Sequence, residues 1–170
     1  MIYWIVKSLL LKNKKPKYAF EDTIISKHSV KLSDIDLYLH VNNAKYLRKY
    51  EMARWNFGIE TGLTAKLLQH KIKFIVCAAE LAYIKELKWN QKFEIHTKFA
   101  GNDEKYFYWE QKIISNGKLI NHGLFKVLFL GKKGVVPSQE IFSLLDLQIS
   151  SKELPIFISK WKELMQLKQK

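Results

Sequence analysis

Apolar and polar positions change rhythm along the chain, and each change marks an element. Residues 92–99, KFEIHTKF, alternate without a fault. Phe93, Ile95, Thr97 and Phe99 take one side and Lys92, Glu94, His96 and Lys98 the other, which is the period of a half-buried strand. A β-branched, partly alternating run at 22–32 predicts a first strand. Residues 44–62 contain no Pro and are rich in helix formers, and Asn42 and Asn43 stand before them as N-caps. On that helix Lys45, Lys49, Asn56 and Glu60 form one narrow polar stripe, while Tyr46, Leu47, Tyr50, Ala53, Trp55, Phe57 and Ile59 cover most of the rest. A helix so apolar is expected to be wrapped on several sides.

The middle of 71–87 is almost continuously apolar, the pattern of a strand buried on both faces. Segments 105–115 and 118–131 flank Asn116-Gly117, whose two residues tolerate positive φ and predict a hairpin. The order is strand, long helix, then four strands joined by short turns, and one helix held in a curled antiparallel sheet is the economical solution. In 136–170, Ser138 is expected to cap a helix running to Asp146, and Pro155 to open a second. There Phe157, Trp161, Leu164, Met165 and Lys168 keep helical spacing, which predicts packing on the outer face of the sheet.

Composition narrows the classes. A chain of 170 residues that is 48% hydrophobic and 14% aromatic buries enough surface to fold as one domain of ordinary size. Cys77 is its single cysteine, which excludes an internal disulfide and a multi-cysteine zinc module. His28, His70, His96 and His122 lack metal-ligand spacing, so no metal site is expected. The 29 Lys+Arg against 16 Asp+Glu leave a net charge of +13, spread over both halves and almost entirely lysine. Diffuse lysine suits phosphorylated cofactors or acidic lipid; a nucleic-acid partner, which favours gathered arginine, is not expected.

Residues 1–20 form an apolar and basic segment, MIYWIVKSLLL followed by KNKKPK, too short to span a bilayer and in the wrong order for a secretory signal. Two readings fit it: a helix lying in an acidic membrane interface with Tyr3 and Trp4 at headgroup depth, or an element packed on the domain. The expected organisation is this segment, a central domain over 21–135 and a helical extension over 136–170, in a cytoplasmic protein with peripheral membrane contact.

Residues that point to chemistry gather in 34–54, DIDLYLHVNNAKYLRKYEMAR. Asp34 and Asp36 precede His40, Asn42, Asn43 and Tyr46, and the helix opens at the asparagines. Unpaired N–H groups at a helix start suit a developing oxyanion, and a carboxylate on the loop before it could act as nucleophile or general base. The plain alternative is that these residues are caps.

The string DIDLYLHVNNAKY with EMAR on the helix resembles the signature of the 4-hydroxybenzoyl-CoA thioesterase-like branch of the hotdog-fold acyl-CoA thioesterases. The subgroup called thioesterase superfamily member six-like is the most similar, and the likeness spans 22–131. It implies an α+β hotdog fold and hydrolysis of a fatty or aromatic acyl-CoA. By the same likeness Asp36 is the catalytic carboxylate and the Asn43 backbone N–H polarises the thioester carbonyl. His40, Asn42 and Tyr46 match positions that bind substrate. Glu51 sits on the helix where other branches carry their carboxylate, but Arg48 and Arg54 stand three residues either side of it, and an ion pair is the expected use. No metal or redox cofactor is implied, since coenzyme A is part of the substrate. A homodimer or homotetramer is implied, with the 71–87 strand a candidate for pairing between copies. Leu39 replaces the glycine usual before the histidine. The second reading is a membrane-associated acyl-CoA-binding protein of the same fold with little or no turnover.

Overall fold

The alternation of 92–99 becomes an interior strand of an antiparallel sheet. The computed structural model describes residues 16–147 and 154–168. The strands are β1 (Ile24–Ser29), β2 (Lys73–Tyr83), β3 (Lys92–Asn102), β4 (Phe107–Ser115), β5 (Lys118–Gly131) and β6 (Gly134–Val136). The helices are α1 (Asn43–Glu60), α2 (Leu63–Gln69), α3 (Ser138–Leu144) and α4 (Ile156–Leu167). Strand order is β1-β3-β4-β5-β2, every pair antiparallel, with β6 hydrogen-bonded to β5. The sheet curls about α1 as an α+β hotdog half-barrel.

Period-two alternation places Phe93, Ile95, Thr97 and Phe99 of β3 inside and leaves their neighbours at the surface, as expected. The inward residues of β4 and β5 add Phe107, Trp109, Phe125 and Phe129. Trp109 is the hub of the core, with Phe57 of α1 edge-on at 6.1 Å, Phe74 of β2 at 5.5 Å and Phe99 at 5.9 Å between ring centroids. Helix and sheet meet closely at Gly123, where a Cβ would stand 2.9 Å from the Phe125 ring and 3.1 Å from the Tyr50 ring of α1, so a larger residue there would have to displace one of these rings. Asn116 and Gly117 take φ of 50° and 69°, as the hairpin signal requires.

Several expectations need correction. The strand in 71–87 is β2, at the edge of the sheet and paired with β5 alone; Val76 and Tyr83 are largely exposed, so it is not buried on both faces. An apolar run reads the same whether this chain or another surface covers it. Helix α1 is wrapped on several sides, as expected, though not over all of its apolar residues. Its Tyr46, Tyr50, Ala53, Phe57 and Gly58 are buried, but Leu47 and Met52 reach the surface. Helix α2 breaks from α1 at Gly62, whose φ of 78° is left-handed, and has no counterpart in the predicted elements. Ser138 does not cap α3 but is its first residue, and its hydroxyl donates to the Asp103 carbonyl at 2.6 Å. Helix α4 does pack on the outer face, against Tyr108 and Leu124, but through Ile158, Trp161 and Met165, with Phe157 and Leu164 exposed. The interfacial helix expected near the N-terminus lies outside the described residues, and among the described residues no helix is long and apolar enough to cross a membrane.

Candidate active site

The loop between β1 and α1 folds back on itself. A 3-10 turn over Leu32–Asp34 leads to Ile35, which bridges Val41 in antiparallel fashion, and the Asp36 N–H donates to the His40 carbonyl at 3.0 Å. Residues 36–40 are thereby pinched into a tight turn. Leu39 holds φ of 63° there, the left-handed conformation that a glycine would adopt without strain. His40 bridges Lys88 and the Val41 N–H donates to the Leu87 carbonyl, so the turn is anchored to the segment before β3.

This folding separates two carboxylates that are two residues apart in sequence. Asp34 turns inward. Its Oδ2 accepts from Lys49 Nζ at 2.6 Å and from the Lys31 N–H at 2.9 Å, and its carbonyl accepts the Asn42 N–H at 2.9 Å. Burial alone would raise its pKa, but the Lys49 bond, the Lys31 N–H and the charges of Lys49 and Lys45 outweigh it and hold the carboxyl below its usual value. Asp36 turns outward, its side chain 22% exposed. Oδ1 accepts the Tyr38 N–H at 2.9 Å and lies 3.5 Å from His40 Nδ1. Among the described residues no lysine or arginine pairs with it.

At the start of α1 the Asn42 side chain accepts the Ala44 N–H at 2.9 Å and so caps the helix, as predicted. The Asn43 N–H, the first of the helix, makes no hydrogen bond among the described residues and stands at the positive end of the helix dipole. Tyr83, from the far end of β2, donates its hydroxyl to the Asn43 carbonyl at 3.2 Å. Asp36, His40, Asn42 and Asn43 are therefore brought together. Tyr46 is placed differently: it is buried, its ring edge-on to Tyr83 at 5.5 Å. Burial pushes its phenol up to about 12, against a hydrogen bond to the Leu87 backbone. It fixes the floor beneath the helix start.

Glu51 and Arg54 lie apart from this cluster, on the α1 face that lines a cavity of about 790 Å³ bounded by α1, α2 and β2. The expected ion pair does not form. Among the described residues Glu51 has no cation within pairing distance, and Arg54 instead donates from Nη1 to Gln111 Oε1 at 2.7 Å with its guanidinium 4.0 Å from the centroid of the Phe125 ring. Gln111, 57 residues away in sequence, carried no signal that pattern reading could have used. Among the described residues no group of three or more His, Cys, Asp or Glu is arranged to hold a metal ion.

Comparison with known proteins gives a consistent result. The family model described as the thioesterase-like superfamily matches residues 30–155. The zebrafish (Danio rerio) protein THEM6 is 33% identical over 107 residues, which is 63% of this chain and 51% of that protein. The chain thus spans about half the length of this curated relative. Among solved structures, a gentisyl-coenzyme A thioesterase superposes with a TM-score of 0.64 at 24% identity, over 71% of this chain and 99% of that one. A Staphylococcus aureus protein solved in complex with CoA superposes with a TM-score of 0.66 at 16% identity, over 82% and 93% of the two chains.

Proposed function

Because the chain belongs to the thioesterase-like superfamily, we propose that it hydrolyses an acyl-CoA thioester to a free acid and CoA, with Asp36 and the Asn43 N–H as the reacting pair. One observation carries this reading. Of the two carboxylates on the loop, Asp34 is consumed by Lys49, while Asp36 is partly open, unpaired with any lysine or arginine among the described residues, and folded back beside the start of α1.

The chemistry follows from that placement. The thioester oxygen takes the Asn43 N–H, where the helix dipole stabilises the negative charge that develops as the carbonyl carbon becomes tetrahedral. Either Asp36 adds to that carbon, and collapse of the intermediate breaks the C–S bond to leave an acyl–Asp36 anhydride that water then hydrolyses to the free acid, or Asp36 draws a proton from a water that adds directly. In both cases the CoA thiolate leaves and takes up a proton released from that water. His40, at 3.5 Å, orients the Asp36 carboxylate, and the amide of Asn42 is held by its capping bond at the same helix start. The lysine-rich surface suits the phosphates of CoA, and the reaction calls for no metal or redox cofactor.

Two copies are expected to pair along β2, an edge strand whose apolar Val76 and Tyr83 are uncovered in the single chain. Residues 1–20 are expected to add peripheral contact with acidic membrane from the cytoplasmic side. Removing residues 1–17 then lowers partition to acidic liposomes and leaves the domain folded; unchanged partition contradicts the contact.

Thiol release from short, long and aromatic acyl-CoAs, measured on the protein beside Asp36→Asn, tests the proposal. Turnover that disappears in the variant supports it and identifies the acyl class. The second reading, acyl-CoA binding with little turnover, is favoured by Leu39, whose left-handed φ of 63° strains a turn that glycine would adopt without strain. Acyl-CoA bound without turnover by either protein would establish it.

A further inference from the structure

The end of the sheet that carries the Asp36 loop also carries the most open apolar side chains among the described residues. Strands β1 and β4 end there, β3 and β5 begin there, and two segments are laced across it. The Val30 N–H donates to the Gln91 carbonyl at 3.0 Å, the Asn90 N–H to the Val30 carbonyl at 3.1 Å, and the Val41 N–H to the Leu87 carbonyl at 2.9 Å. Each segment projects a tight turn. In the first, closed between Asp36 and His40, stand Leu37, Tyr38 and Leu39, the three most exposed large apolar residues of all those described, with Leu37 98% open. In the second, the Gln91 N–H donates to the Lys88 carbonyl at 3.1 Å, Asn90 holds φ of 60°, and Trp89 sits at the corner, 65% exposed. Leu32, on the 3-10 turn beside them, is open as well.

A cluster of open apolar side chains is costly in water, and the charges around this one indicate what covers it. Lys31, Lys85, Lys88 and Lys92 are exposed on the same two segments. The carboxylates there are Glu86, 3.1 Å from Lys88, Asp34, joined to Lys49, and the partly open Asp36. Turn tips are convex, and apolar tips ringed by lysine differ from a protein interface, whose centre is depleted in lysine. A second copy docked by the same face would set these four lysines against their own counterparts. An anionic bilayer answers both features. Leucine enters the acyl boundary, tyrosine and tryptophan lie at headgroup depth, and lysine meets the lipid phosphates.

We propose that this end of the domain docks on an anionic lipid bilayer through the 36–40 and 88–91 turns. The surface is distinct from the N-terminal segment. The Lys17 N–H donates to the Glu60 carbonyl at the far end of α1, and the 18 residues of that helix extend about 27 Å. Docked in this way, Asp36 and the start of α1 stand at the lipid surface. That consequence rests on the hydrolytic reading, whereas the docking itself does not.

Quenching of tryptophan fluorescence by brominated lipid tests the docking on the full chain, with vesicles of phosphatidylcholine alone and of phosphatidylcholine mixed with phosphatidylserine. The chain has five tryptophans, and Trp89→Phe, which keeps an apolar ring, isolates the one at the turn. The expected result is quenching in the mixed vesicles that is smaller in Trp89→Phe at equal bound fraction. Cosedimentation is the second readout. Leu37→Ser is expected to lower the partition coefficient at least about fivefold with the thermal midpoint unmoved, since that side chain is open in the free protein. Lys31→Gln with Lys85→Gln is expected to bring partition to mixed vesicles towards that for phosphatidylcholine alone. Quenching indifferent to Trp89→Phe, or partition indifferent to Leu37→Ser, overturns the proposal and leaves the N-terminal segment as the contact. A Leu37→Ser variant that keeps its partition but changes assembly size overturns it too, and assigns the surface to contact between copies. Neither readout involves acyl-CoA, so the outcome is independent of whether the protein hydrolyses it.

Discussion

Asp34 and Asp36 share a loop, a chemical identity and nearly a position, yet the fold uses them in opposite ways. Asp34 faces inward, its side chain 13% exposed, joined to Lys49 and to the backbone at Lys31. It ties the loop to the second turn of α1. Asp36 faces outward across a turn closed by its own N–H and the His40 carbonyl, and its carboxylate accepts one backbone bond. A group satisfied on every side can hold structure but cannot readily change its bonding during a reaction. A group with unmet capacity beside a helix N-terminus can. The difference between them is set by the loop: Asp34 ends the 3-10 turn and meets Lys49, whereas Asp36 lies past the Ile35–Val41 bridge in the turn closed by the His40 carbonyl.

The contrast is sharpest in activity. Asp36→Asn is expected to lower acyl-CoA turnover by about 10²- to 10⁴-fold, the range for loss of a positioned acid or base, with the unfolding midpoint unmoved. Asp34→Asn is expected to destabilise the protein by about 3 kcal/mol in urea unfolding, because it leaves the Lys49 ammonium, 12% exposed, without its anion. The same residue sets a pH dependence. Its folded pKa lies below the ordinary aspartate value of 3.8, so its stabilisation is complete above that value and is lost as pH falls through the lower folded pKa. Acid unfolding of Asp34→Asn is therefore expected to have a shallower dependence below pH 3.8 than the wild type. Asn42→Ala removes the bond to the Ala44 N–H and is expected to cost about 1 kcal/mol, read as a lower thermal midpoint. The smallest effect belongs to Leu39→Gly. Relief of a left-handed leucine is partly offset by the greater freedom of glycine in the unfolded chain, and a gain of about 0.5–1 kcal/mol is expected in chemical denaturation.

What could be read from sequence was local. The cap at Asn42, the alternation of β3 and the Asn116-Gly117 turn each depend on a few neighbouring residues, and each stands in the structure as predicted. The loop string around Asp36 likewise marked Asp36, His40, Asn42 and Asn43, which the fold gathers at the loop and the start of α1, but gave no sign that Tyr46 would be buried. What escaped depends on partners far away in the chain. The Glu51 pairing failed because Arg54 finds Gln111 and Phe125 across the sheet, and helical spacing reports nothing about either. The exposure of β2 escaped because apolar residues at a sheet edge and in its middle look alike until the strand order is known. The cavity escaped with α2, a helix of seven residues whose existence turns on the left-handed Gly62.

The most direct measurement is a crossed one, with acyl-CoA turnover and urea unfolding recorded on Asp34→Asn and Asp36→Asn side by side. Asp36→Asn is expected to lose turnover by about 10²- to 10⁴-fold at unchanged stability, while Asp34→Asn loses stability and, under conditions where it remains folded, still turns over substrate. Turnover that survives in Asp36→Asn but is lost in folded Asp34→Asn would contradict it.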